Sequence, residues 1–279
     1  MDIKTITEDR IRSFSQHLER DEKSQATIEK YCRDVAAFGV VAGDRPLTKE
    51  LVMAYKKHLI GQNYAVSSIN SMLAGINAFL EYLNLQDCKV KSIRTQRQTY
   101  CPEEKELTRQ EYLRLLEAAD KNEQLKLVIQ TICATGIRVS ELQYFTVEAI
   151  SAGQVTVACK NKTRTIWVPG KLRKLLIRYA KKRQIPSGTI FVTRSGAPLN
   201  RSNIWSAMKK LCTCAGVNPS KVFPHNLRKL FARTFYGIEK DIAKLADILG
   251  HSSINTTRIY IMTTGTEHLR RIERLGLVI

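Results

Sequence analysis

The chain is 279 residues long and 43% hydrophobic, enough to bury one large core or two ordinary ones, which sets intrinsic disorder aside. Its 45 Lys and Arg against 26 Asp and Glu leave a formal charge of +19, which points to a polyanionic partner, nucleic acid before membrane. The polar opening MDIKTITEDR does not read as a signal peptide, and no apolar run approaches the roughly 20 residues of a membrane span, so a soluble, cytoplasmic protein is expected.

Thr7 is placed to cap a first helix carrying Ile11, Phe14 and Leu18, and a second helix starts near Ser24 with Ile28, Tyr31, Val35 and Phe38. Residues 39–46 read as a loop, after which Thr48 caps a helix with Leu51, Val52, Tyr55 and Leu59. Beyond a break at 61–66, a long run presents Ile69, Met72, Leu73, Ile76, Phe79, Leu80 and Leu83 at helical spacing. Four such helices with short connections make a small bundle over residues 1–88, whose polar faces, with Lys56 and Lys57, are candidates to touch DNA.

Periodicity is lost over 89–106, a basic stretch that reads as a linker to a second domain, 107–279. The charge is concentrated there: residues 1–100 hold 15 basic against 12 acidic residues, while 101–279 hold 30 against 14. Thr108 followed by Glu111 is a capping-box signature, and the apolar run 127–134 suits a buried helix. Gly136 breaks that run just before Arg138, within TGIRVSEL. Two short β-prone runs, 155–159 and 165–168, flank Lys160, Asn161, Lys162, Thr163 and Arg164, which predicts a hairpin with a basic tip. A basic helix follows Gly170, residues 190–192 read as a brief strand, and Ser202 is placed to cap a helix with Trp205, Met208 and Leu211. The fold class expected is mainly α: a four-helix N-terminal bundle, then a mostly helical domain with a small antiparallel β-sheet. The seven cysteines are odd in number and scattered, and Cys212 and Cys214 have no second pair at zinc-finger spacing, so reduced thiols are expected.

The last third of the chain carries the densest chemistry. Pro224 suits the first turn of a helix, and His225 and Arg228, three apart, fall on one face of it. A second helical run, with Ile242, Leu245, Ile248 and Leu249, stops at Gly250, a residue suited to a left-handed cap. His251 follows at once and Tyr260 nine positions later. Each residue alone has an ordinary structural reading: a surface arginine, a satisfied core histidine, a core aromatic. Their joint occurrence in a fixed order is what carries weight.

In that order, TGIRVSEL, the basic hairpin, HNLR, LGHSSINTT and Tyr260 resemble the tyrosine recombinase, or phage integrase, family over nearly the whole chain, and the bundle is similar to that family's core-binding, SAM-like domain. The resemblance implies Arg138, His225, Arg228 and His251 around the nucleophile Tyr260, a hairpin lysine at Lys160 with Lys162 in reserve, and Glu141 as a supporting acid. Arg164 and Lys229 join Lys56 and Lys57 as candidate DNA contacts. Two positions depart from the family pattern: Cys159 stands where a Gly commonly precedes the lysine, and Lys229 where a His commonly follows the second arginine. The implied partner is a pair of double-stranded DNA recombination sites, bound by a homotetramer that is monomeric or weakly associated when free, with no cofactor and no metal, in the cytoplasm at a bacterial nucleoid.

The residue types suit attack on a phosphodiester. Arginines stay protonated and pair two phosphate oxygens at once, offsetting the charge that repels a nucleophile and grows during attack. Removing one such preorganised donor typically costs about 3–4 kcal/mol of transition-state stabilisation. A free phenol titrates near 10, so a tyrosine nucleophile needs this cationic surround and a base such as His225. No P-loop pattern is present. Beside a site-specific recombinase of a mobile element or chromosome stand a type IB-like topoisomerase with the same cleavage chemistry and, least favoured, a non-catalytic DNA-binding regulator.

Overall fold

Apolar residues at helical spacing build the first of two units, Met1–Arg97, in a computed structural model that describes residues 5–96, 99–159 and 162–277. Its helices are α1 (Glu8–Arg20), α2 (Gln25–Ala42), α3 (Lys49–Gly61) and α4 (Val66–Tyr82). The Thr7 and Thr48 hydroxyls accept from the backbone N–H groups of Arg10 and Leu51, satisfying donors that open the first and third helices. Helix α2 runs further than its sequence suggests: Gly39 lies inside it, its bare face against Ile6, and the turn comes only at Gly43, with φ of 59°. Phe14, Val35, Phe38, Val52, Ile76, Phe79 and Leu80 are fully buried, with Phe14 and Phe79 edge to face at 5.2 Å. The chain after α4 folds back on that helix. The amides of Asn77 and Asn70 each donate to and accept from one backbone residue, Val90 and Ile93 respectively.

The second unit, Gln98–Ile279, begins α5 (Arg109–Ala118) with the expected reciprocal capping box between Thr108 and Glu111. Helix α6 (Glu123–Thr135) is its centre: Leu127, Val128, Ile129 and Ile132 are buried, and α10 (Pro224–Glu239), α5, α8 (Gly170–Lys182) and α9 (Arg201–Ala215) pack around it. A 3-10 turn (Val139–Tyr144) and the short α7 (Val147–Ala152) lead into strands β1 (Gln154–Cys159) and β2 (Lys162–Trp167). The strands pair antiparallel, with Cys159 opposite Lys162 and Gln154 opposite Trp167. The last elements are α11 (Ile242–Leu249), α12 (Ile254–Tyr260) and α13 (Gly265–Glu273).

The protein is therefore mainly α with a small two-stranded antiparallel sheet, the expected class. Two further local expectations are corrected. Residues 190–192 form no strand of a sheet: Ile190 and Phe191 drop into the core, and their neighbours make only the isolated bridges Thr146–Thr189 and Val192–Pro198. Helix α9 is capped by Asn200, whose side chain accepts from the Ser202 N–H, so Ser202 lies inside the first turn. No helix among the described residues is long and apolar enough to cross a membrane.

Candidate active site

Helix ends bring the chemistry-bearing residues together. Gly136, left-handed with φ of 64°, ends α6 and turns the chain so that Arg138 opens the 3-10 turn. Glu141, one turn on and buried, accepts the Arg138 backbone N–H at 2.7 Å and its Nη1 at 3.1 Å. Pro224 starts α10, which carries His225 in its first turn, exposed to solvent, and Arg228 one turn on, buried. Gly250 closes α11 in a left-handed conformation, and His251 emerges from that turn. Tyr260 is the last residue of α12 and only 7% exposed.

The Tyr260 ring lies between two imidazoles, with centroids 4.9 Å from His225 and 4.8 Å from His251. Its hydroxyl is 3.3 Å from His225 Nδ1, and the Arg228 guanidinium carbon is 5.8 Å from the ring centroid. Arg228 is 1% exposed and donates to the carbonyls of Gly136 and Leu249. Its Nη2 is also 3.1 Å from His251 Nε2. A guanidinium can only donate, so Nε2 accepts and the proton of a neutral His251 sits on Nδ1, where it donates to the buried Thr257 hydroxyl at 2.9 Å. One clasp thus sets the tautomer of His251. Arg138 Nη2 donates to the Gly250 carbonyl at 3.3 Å, while 38% of its side chain remains exposed.

A chain with this constellation matches the family model described as phage integrase family over residues 105–266, and that of the phage integrase N-terminal SAM-like domain over 11–87. It belongs to the phage integrase family. The tyrosine recombinase XerA of Pyrococcus furiosus is 28% identical over 283 residues, covering 99% of this chain and 96% of that one. Among solved structures, a lambda integrase (75–356) dimer bound to a COC′ core site superposes with a TM-score of 0.75 at 18% identity, covering 93% of this chain and 96% of that one. A lambda integrase tetramer bound to a Holliday junction gives 0.73 at 19% identity, covering 90% and 76%. Family and relatives together make this chain a tyrosine-type site-specific recombinase.

In this integrase the two histidines are weakly basic. Partial burial, then the charges of Lys229, Arg228, Arg138 and Arg201, push His225 down to about 4. Burial, then Arg228, Arg138 and Arg164, push His251 down to about 4 as well. Burial followed by repulsion from Arg138 pulls Arg228 down to about 10, still protonated at neutral pH. Buried Glu141 is the counter-charge, paired with Arg138 at 3.1 Å and Arg164 at 2.7 Å. Such a pocket is set to receive an anion.

Lys160 falls outside the described residues, and Lys162 is described only as the first residue of β2. Lys229 follows Arg228 on α10, half-buried and close enough to depress His225. In the N-terminal unit the Lys56 ammonium donates to the Lys91 carbonyl at 2.7 Å, and Lys57 is exposed. Sequence reasoning missed Thr257 and the backbone carbonyls of Gly136, Leu249 and Gly250. Only the threonine left any trace in sequence, as the second threonine of LGHSSINTT.

Proposed function

We infer that this recombinase cuts and rejoins DNA through a 3′-phosphotyrosyl intermediate on Tyr260. The observation that carries the reading is the Tyr260 hydroxyl 3.3 Å from His225 Nδ1, with its ring against the Arg228 guanidinium. The phenol donates its proton to neutral His225 as its oxygen attacks the scissile phosphorus. The bond to the 5′-oxygen breaks, and that oxygen takes a proton from the hairpin lysine, Lys160 or Lys162. An incoming phosphate is an anion and raises the proton affinity of both imidazoles, which makes His225 a better base when substrate is bound. Arg138 and Arg228 hold the phosphate oxygens as charge builds on them, and His251 hydrogen-bonds the same group. The ester keeps the energy of the broken bond, so a second strand's 5′-hydroxyl reverses the step without ATP, and the arginines supply the charge a metal would otherwise bring.

The recombination substrate is double-stranded DNA at two sites held by a homotetramer, a reading supported by the positive charge and by similarity in fold to the lambda integrase tetramer on a Holliday junction. The test is a nicked recombination site that traps the covalent product. A denaturation-resistant protein–DNA adduct is expected in EDTA, and Tyr260→Phe abolishes it while DNA binding persists. An adduct that survives in Tyr260→Phe moves the nucleophile elsewhere.

A further inference from the structure

Arg164 sits on a basic hairpin and reads in sequence as a DNA contact, but its side chain is 14% exposed and turned into the protein. Its Nη2 donates to Glu141 Oε2 at 2.7 Å, the same oxygen that accepts the Arg138 backbone N–H at 2.7 Å. The other carboxylate oxygen accepts Arg138 Nη1. One buried carboxylate therefore joins strand β2 to the turn that carries Arg138. The rest of the Arg164 side chain lies across Gly250: a Cβ there would meet the Arg164 guanidinium, with Cδ at 3.0 Å and Cζ at 3.2 Å. The Gly250 carbonyl in turn accepts from Arg138 Nη2, and the next residue is His251. The Arg164 Nε is buried and has no hydrogen-bond partner among the described residues.

We propose that Arg164 is a positioning residue for strand cleavage, setting Arg138 through Glu141 and His251 through the turn at Gly250. The inference rests on the tyrosine-recombinase reading of the site. Three segments distant in sequence, 138–141, 164 and 250–251, meet at this one side chain. Without it, the buried Glu141 carboxylate loses one of its two cations and the turn bearing His251 loses the surface it rests on.

The experiment compares the wild type with Arg164→Gln, Arg164→Lys and Arg138→Ala on a nicked site, at saturating protein, with adduct formation as the rate. Arg164→Gln lowers the saturated rate roughly ten- to a hundredfold while DNA affinity stays within about twofold, and Arg164→Lys recovers part of the loss. The decisive comparison uses DNA with a methylphosphonate at the scissile position, an uncharged centre that asks less of Arg138. On that substrate the deficits of Arg164→Gln and Arg138→Ala both shrink. A wild-type rate in Arg164→Gln, weaker binding with an unchanged saturated rate, or the same deficit on both substrates overturns the proposal. Should Arg164→Gln not fold, Arg164→Lys and Gly250→Ala, which displaces the arginine, carry the same comparison. A wild-type chain that forms no adduct overturns the recombinase reading itself. Normal wild-type cleavage with unaffected variants overturns only the role of Arg164.

Discussion

Neutral imidazoles flank Tyr260, and their neutrality follows from position. Both histidines titrate near 4 in the folded chain, against an ordinary value of about 6.5. The unfolded chain therefore binds protons first as pH falls, so these two groups stabilise the fold fully above about 6.5, and that contribution is lost as pH drops from 6.5 to 4. An NMR titration of the free protein is expected to show neither imidazole protonating between pH 8 and about 5.5. A midpoint near 6.5 for either one refutes the burial-and-cation account. Thr257→Val keeps the shape but removes the acceptor for His251 Nδ1. Freed from that acceptor, the ring can swap tautomers and aim an N–H at Arg228, and the expected result is a roughly tenfold slower cleavage, a hydrogen bond of about 1–1.5 kcal/mol having been lost. Unchanged cleavage would mean that Thr257 does not set the tautomer.

At the scale of elements, the site is built where helices stop. Gly136 ends α6 with φ of 64°, and a Cβ there would run into the Phe231 ring and press on Leu249 at 3.0 Å. Gly136→Ala therefore combines an unfavourable left-handed backbone with overpacking against α10, an expected loss of about 2–4 kcal/mol, read as a lower Tm in thermal unfolding. Cleavage is expected to fall as well, because the same residue's carbonyl holds Arg228. In the N-terminal unit, Phe79→Ala removes a fully buried ring stacked edge to face on Phe14, at an expected cost of about 3–5 kcal/mol. Helix α13 shows the opposite economy. None of its residues is buried, and it is held to its own unit by Arg233, paired with Glu106 and Glu267, by Thr266 bonded to Glu103, and by His268 against Tyr100 at 5.1 Å. Its Leu269 and Ile272 stay exposed.

The whole molecule carries +19, most of it beyond residue 100. Charge of this size acts on polyanion binding through counterion release rather than on fold. If 6–10 phosphates are neutralised, DNA affinity is expected to fall roughly 10³–10⁵-fold between 50 and 200 mM salt, measured by equilibrium binding to a single site. An affinity that barely moves with salt would argue against the DNA reading.

The sequence by itself determined the class of fold and named the residues of the candidate site, because both readings depend on local rules. Helical spacing names the apolar faces, capping signatures at Thr7, Thr48 and Thr108 mark helix starts, and Gly136 and Gly250 mark stops. The order of Arg138, His225, Arg228, His251 and Tyr260 along the chain carries the family resemblance. Only the tertiary structure decided what each residue touches. Nothing in the sequence announces that Thr257 orients His251, that the carbonyls of Gly136 and Leu249 grip Arg228, or that Arg164 turns inward to Glu141. Those contacts span from 6 residues of chain to the 92 between Gly136 and Arg228. The longest of them exist only after α6, α10 and α11 have packed, and carbonyls have no residue identity to read. The same reason explains why residues 190–192, strand-like in composition, are core filler: Ile190 and Phe191 are buried, and their backbones bond to Phe145 and Leu199 outside any sheet.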